Sequence, residues 1–411
     1  MRRTVVLVLC GVLIAACTGA PASAATPGWV DGWAASPHSS AAETSVPTFA
    51  DRTLRMIVRM HAGGTSVRIR LSNTFGDRPV RFGRAAVALR TVGPATTKAL
   101  AVKFGGRPDA TVAAGAEISS DPVGLTVNAG QDLAVDLYVP APTGPATWHR
   151  SALQTSYVST AGDHVGGEAS AFATGTGHWF FLDAVSVKTA SAPGTIVALG
   201  DSITDGSGSP SNANQRWPDV LHDRLAARGG GFESVVDEGI AGNRVLSDDP
   251  RNGVSALNRL TRDVLVRRGL KHVILLEGVN DLRTVGHTFP AEDIIAGYQK
   301  IIDRVHAKKG KIYGATLTPI EGSGRYTPAM EAERQKLNTW IRTSRKFDGV
   351  IDFDLATRDP ADPLRFRVEY DSGDHLHPNQ AGYRAMGEAV DLNLFPAQGA
   401  AQGAVTVKSP K

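Results

Sequence analysis

Two rhythms of apolar and polar positions divide the chain. From Trp29 to about Ala192, short apolar stretches recur between clusters of Gly, Pro, Asn and Asp. The segment 65–72 is the cleanest of them. Val67, Ile69 and Leu71 share one face while Ser66, Arg68 and Arg70 share the other, the period-2 pattern of a half-buried antiparallel strand. The segment 53–60 alternates in part, and 85–89, 125–127 and 132–139 read as further strands. Turn-rich stretches such as 73–79 and 140–144 separate them, and no amphipathic helix intervenes. Many short strands punctuated by turns predict a β-sandwich or jelly roll.

From Thr195 to about Phe395 the period changes. Apolar strand runs at 196–199, 234–238, 271–277, 311–318 and 350–353 alternate with helical patterns at 218–228, 255–268, 291–309, 327–345 and 378–390. The helix at 291–309 is the clearest, with Ile294, Ile295, Tyr298, Ile301, Ile302 and Val305 on one face and Gly310 at its end. Strand–helix alternation predicts a parallel sheet covered by helices on both faces. Ligands of such sheets gather outside the carboxyl ends of the strands. Ser202, the segment 239–243, the segment 278–281 and the loop before Pro378 all fall there.

Composition narrows the picture. A chain of 411 residues is long for one domain, and 42% hydrophobic with 20% charged residues is globular. The net charge of +4 is spread out, with no run of five basic residues and no basic patch interleaved with aromatics, so no nucleic-acid partner is expected. Arg2 and Arg3 precede the apolar run 5–16, and Ala22-Ser23-Ala24 gives a small-x-small cleavage pattern. Residues 1–24 therefore read as a signal peptide of a secreted protein, the run being too short for a stable membrane span. The alternative is a cell-surface lipoprotein, because the segment 14–17 resembles a lipobox that would place a lipid anchor on Cys17. Cys10 and Cys17 both lie in this leader, which leaves the rest without a disulfide, a thiol nucleophile or a cysteine zinc site.

The expected division is a signal peptide at 1–24, an accessory β-sandwich at 25–192, a catalytic domain at 193–396 and a flexible tail at 397–411. The small-residue run 189–194 marks the boundary between the two large units. Sandwiches of this kind bind carbohydrate through exposed aromatics, and Trp148, Trp179 and Tyr157 are the candidates; core packing is the competing reading. His149 and His164 show no partner in the sequence and read as structural or surface residues.

Candidate chemistry sits in four segments: Gly200-Asp-Ser-Ile-Thr204, Gly239-Ile-Ala-Gly-Asn-Arg244, Gly278-Val-Asn-Asp281 and Asp374-His-Leu-His-Pro-Asn379. Taken singly, each passes for a turn, since Gly, Asp, Asn and Ser are ordinary turn residues. Together, in this order and spacing, they resemble the four sequence blocks of the SGNH hydrolases, the GDSL-type lipase/esterase superfamily. The resemblance covers the second region and implies a flavodoxin-like three-layer α/β/α fold. It also implies a serine nucleophile at Ser202, a base at His377 and an orienting acid at Asp374, three residues earlier. A serine hydroxyl needs such a base at neutral pH. Asp371 is the alternative acid and His375 the alternative base. The oxyanion donors implied are the backbone N–H groups of Ser202 and Gly242 and the side-chain amide of Asn280. A glycine lets backbone approach substrate, and an amide donates without titrating. Asp201 and Asp281 read as structural. One departure stands out: the second block usually carries Asn at or near the position of Asp237 or Glu238. Arg244 reads either as a substrate contact or as a surface ion pair.

The expected function is thus a secreted serine esterase without a cofactor, acting on short-acyl esters, acetyl above all, carried on carbohydrate. The alternatives are a lipase or phospholipase of the same superfamily and a non-catalytic carbohydrate-binding surface protein. A metal-dependent hydrolase built on Asp374, His375 and His377 is a third; loss of activity to a chelator would mark it.

Overall fold

The computed structural model describes residues 28–190, 192–284 and 289–397. The expected leader, the anchor at Cys17 and nearly all of the expected tail lie outside the described residues. The first region is built of antiparallel sheets. Its main strands are β1 (Gly28–Ala34), β2 (Arg52–Arg59), β3 (Ser66–Ser72), β4 (Arg84–Leu89), β5 (Asp132–Val139), β6 (Thr147–His149), β7 (Ser156–Ala161) and β8 (Leu182–Thr189). One sheet runs β1, β8, β3; the other has β7, β2, β5 and β4 side by side. A shared apolar core of Leu54, Met56, Val58, Val67, Ile69, Leu71, Val135 and Leu137 joins them.

β2 explains its own imperfect alternation, because it is covered on both faces. Even Arg55 is fully buried, paired with Asp136 at 2.7 Å and set 3.7 Å from the Phe172 ring. The expected strand at 125–127 does not form; only Val127 makes a bridge, to Gly64. Trp148 and Trp179 are core residues at 5% and 6% exposure, which removes them as carbohydrate platforms. Trp179 packs edge-on against Trp33 and donates its indole N–H to the Ile57 carbonyl at 2.8 Å.

The second region is a five-stranded parallel sheet. Its strands are β9 (Thr195–Gly200), β10 (Ser234–Gly239), β11 (Leu270–Leu276), β12 (Lys311–Ala315) and β13 (Gly349–Ile351). Their spatial order, β10-β9-β11-β12-β13, is the flavodoxin-like doubly wound order. The helices are α1 (Ser202–Asp205), α2 (Trp217–Arg228), α3 (Ala256–Leu260), α4 (Val279–Leu282), α5 (Ala291–Ala307), α6 (Pro328–Thr343), α7 (Phe353–Thr357) and α8 (Gln380–Ala389). α5 buries Ile294, Tyr298, Ile301, Ile302 and Val305, the face its spacing predicts. α3 is shorter than its pattern and widens into a π turn over Thr261–Leu265. The fifth strand also stops early, since Phe353 already opens α7.

The two regions interlock. β1 packs against β10, and Ala34 and Ala184 of the β region belong to the apolar core of the parallel sheet. His61 donates from Nδ1 to the Val235 carbonyl at 2.7 Å, and Ser36 Oγ donates to Glu238 Oε2 at 2.6 Å. Asp31 and Arg268 exchange two hydrogen bonds of 3.0 Å.

Candidate active site

β9 is the strand from which the site grows. It must stop at Gly200, where a Cβ would lie 2.1 Å from Thr204 Oγ1 and 2.4 Å from the Leu276 carbonyl. Asp201 then caps α1, its Oδ1 accepting the Ile203 N–H at 2.9 Å. Ser202 is thereby the first residue of a one-turn helix at the carboxyl end of a central strand. Its hydroxyl lies 2.8 Å from His377 Nε2. His377 Nδ1 lies 2.6 Å from Asp374 Oδ2. This geometry fits one tautomer: Nδ1 donates to the carboxylate, and Nε2 is left to accept the serine proton.

The segment around Asp374 organises itself. Oδ1 accepts the N–H groups of Leu376 and His377 at 2.9 and 2.8 Å, so one carboxylate fixes both the loop and the imidazole. Partial burial would raise its pKa; the hydrogen bonds from the His377 backbone and side chain win and lower it to about 2. The other Asp–His pair of the loop faces elsewhere. Asp371 holds His375 Nδ1 at 2.5 Å, and His375 is an exposed residue at φ 59° beside Gly322. Asp374, His375 and His377 thus do not converge as three ligands around one point.

Asn280, in α4, donates from Nδ2 to the Asn243 carbonyl at 2.9 Å. Gly242 adopts φ 81°, and a Cβ there would lie 2.6 Å from Asn252 Cγ. The backbone N–H groups of Ser202 and Gly242 meet no acceptor among the described residues. Asp281 receives the N–H groups of Val245 and Leu246 at 2.8 and 3.0 Å, which holds the loop after Gly242. Burial nonetheless pushes its pKa up to about 6. Arg244 pairs with Asp249 and Ser247.

One residue outside the four segments ties these loops together. Arg259 of α3 is 1% exposed. It donates to the Gly200 carbonyl at 2.9 Å, the Glu238 carbonyl at 2.7 Å, Asn243 Oδ1 at 2.9 Å and Ser36 Oγ at 2.6 Å. The strand before Ser202, the loop that carries Gly242 and the β region therefore meet on one guanidinium. Asp263 and Glu277 are its carboxyl partners at 3.4 and 3.8 Å, and burial holds Glu277 well above the usual carboxylate range. A signal did exist: Arg259 and Asp263 fall on the same helical face as Ala256 and Leu260. Charged residues on an apolar face are buried pairs in waiting.

The departure at 237–238 resolves in the same way. Glu238 is fully buried between Ser36 and Arg267, whose Nε lies 2.6 Å away, and burial raises its pKa. Asp237 accepts the Gly239 N–H at 2.9 Å and is pushed up to about 7 by burial. Glu238 thus serves the junction of the two regions, while Asp237 holds the turn into Gly239. His149 also has partners after all, Asp205 and the Ser36 carbonyl.

Residues 198–385 match the family of GDSL-like lipases and acylhydrolases. Solved structures with similarity include the inhibitor-bound aryl esterase of M. smegmatis, 19% identical, covering 48% of this chain and 95% of that one at a TM-score of 0.39. A carbohydrate acetylesterase family member from Sinorhizobium meliloti is 19% identical over 49% of this chain and 97% of that one, TM-score 0.39. A lipase/acylhydrolase from Enterococcus faecalis is 20% identical over 48% and 92%, TM-score 0.38. No curated protein matches the chain.

Proposed function

We propose that residues 198–385, a GDSL/SGNH hydrolase domain preceded by an all-β region, hydrolyse carboxylic esters through Ser202, His377 and Asp374. The observation that carries this reading is the unbroken chain of hydrogen bonds from Ser202 Oγ to His377 and on to Asp374. His377 Nε2 takes the hydroxyl proton as Ser202 Oγ adds to the ester carbonyl carbon. The oxyanion that forms is met by the N–H groups of Ser202 and Gly242 and the amide of Asn280. Collapse expels the alcohol, which leaves with the proton from His377. Water then repeats the two steps on the acyl-enzyme, releasing the acid and regenerating Ser202. Asp374 stays ionised throughout and stabilises the imidazolium.

Short-acyl esters of carbohydrate are the substrate class we assign. The groups next to the candidate oxyanion donor are polar. Asn252 touches Gly242 and accepts from Arg150, which in turn pairs with Glu43 of the β region. Such a rim offers hydrogen bonds to hydroxyl-rich alcohols more readily than contact to a long acyl chain. Export fits this substrate class, with secretion or a lipid anchor at Cys17 as its two routes.

A series of 4-nitrophenyl esters from acetyl to palmitoyl, run on the protein and on Ser202→Ala, tests the reading. Acetyl-selective turnover that vanishes in the variant is the expected result. Preference for long chains would point to a lipase. Turnover undiminished in Ser202→Ala would remove the serine mechanism.

A further inference from the structure

His149 belongs to the β region, 53 positions before Ser202 in the chain. Yet it is 4% exposed and reaches the nucleophile helix. Its Nδ1 lies 2.9 Å from the Ser36 carbonyl and its Nε2 lies 3.1 Å from Asp205 Oδ1. Both partners are acceptors only, so both ring nitrogens carry hydrogens and the ring is an imidazolium paired with the Asp205 carboxylate. Burial alone would lower the pKa of His149; the charge and hydrogen bond of Asp205 outweigh it and raise it.

Asp205 is the last residue of α1 and is itself 3% exposed. Its second oxygen accepts the Ala241 N–H at 2.9 Å. The next residue is Gly242, the candidate oxyanion donor. Asp205 also sits tight on β10, since a Cβ on Gly239 would lie 2.2 Å from its backbone nitrogen. One carboxylate thus joins the helix that carries Ser202 to the loop that carries Gly242. The only side chain hydrogen-bonded to that carboxylate among the described residues comes from the β region. Stripped of it, a buried carboxylate would keep one N–H for company and no hydrogen-bonded cation, and it would neutralise or turn away.

We infer that His149 is a positioning residue for ester hydrolysis: through Asp205 it sets the Ala241–Gly242 backbone so that the oxyanion donor is in place before charge develops. The inference rests on the serine-esterase reading above. It makes the β region part of the catalytic apparatus.

The test uses the full chain and two near-isosteric variants, His149→Gln and Asp205→Asn, with 4-nitrophenyl acetate as substrate. The expected loss in kcat is roughly 10- to 100-fold, short of the about 10²–10³ that follows outright removal of an oxyanion donor. KM should stay within about threefold, because ground-state binding is not what the contact serves. Inactivation by diethyl 4-nitrophenyl phosphate, whose phosphoryl oxygen seats among the same donors, should slow in parallel. The double variant should lose no more than the worse single one, as two links of one relay do. Folded variants with kcat within twofold of the parent would overturn the inference. So would a loss confined to KM, or fully additive losses in the double variant. Failure of both variants to fold would make the pair a lock on the fold and overturn it too. A parent protein inert to both reagents would instead overturn the esterase reading, and this inference with it.

Discussion

The loops on either side of α1 are held in opposite ways. The loop 371–377 is held by itself: Asp374 binds two backbone N–H groups and the imidazole of the residues just after it. The loop 239–243 is held from a distance. Its fixed points are Asp205, Arg259 and Asn280, and behind these stand Ser36 and His149 of the β region. Acid–base chemistry needs one tautomer of one ring, which three consecutive bonds can enforce. Oxyanion stabilisation needs several donors from different strands to agree on one point, and that requires a scaffold.

Substitutions can break the comparison. Asp374→Asn should cost the most activity, about 10⁴-fold in kcat, by losing the tautomer and the counter-charge. Its melting temperature should hardly move, since Asp374 is half exposed and its contacts are local. Arg259→Met should cost activity and stability together. Removing one partner from a buried ionic cluster typically costs about 3–5 kcal/mol, and Arg259 and Asp263 are fully buried. Equal melting temperatures for the two variants in a thermal-shift scan would erase the distinction drawn here.

Acidity sharpens it further. The long-range side of the site carries carboxyls raised from 3.8, Asp237 to about 7 and Asp281 to about 6. Between pH 4 and 7 the unfolded chain gives up those protons while the folded chain keeps them. Stability is therefore greatest near the bottom of that window, falls as pH rises through it and levels off above 7. Asp374 works the other way, its contribution being lost only as pH falls below 3.8 toward 2. Melting temperature should drop by several degrees from pH 4.5 to 7.5, and Asp237→Asn should flatten the drop. A melting temperature that rises over this range would contradict the assignment. The smallest effect belongs to Asp371→Asn, which should leave kcat within about twofold, since its side chain pairs with exposed His375 while Ser202 pairs with His377.

The same contrast explains what could be read from residues alone. The strand–helix alternation, the four segments and the spacing of Asp374 to His377 are local patterns, and local patterns survive in a linear text. Trp148 and Trp179 were open to two readings because an aromatic on a short strand looks the same whether it faces solvent or core. His149 and Arg259 were harder to read for a stronger reason: His149 finds Asp205 56 positions away, and Arg259 reaches Gly200 59 and Ser36 223 positions away besides its nearer partners. The Asp-Glu pair at 237–238 looked like a flaw in the second block, and only the packing of Ser36 and Arg267 against Glu238 gives that residue a purpose.

β10 ends the parallel sheet, and a terminal strand ordinarily offers its free edge to any other strand that drifts by. Here Val235 and Val236 are 1% exposed, β1 lies against them, and His61 occupies the Val235 carbonyl. A chain cut ahead of Thr195 would bare this edge along with Glu238 and Arg267, and such a fragment is prone to stick to its own kind. The two regions consequently cannot be shuffled as beads on a string. A lineage that exchanged the β region for another module would first have to invent a new bandage for the sheet, so the pair is expected to travel through evolution together.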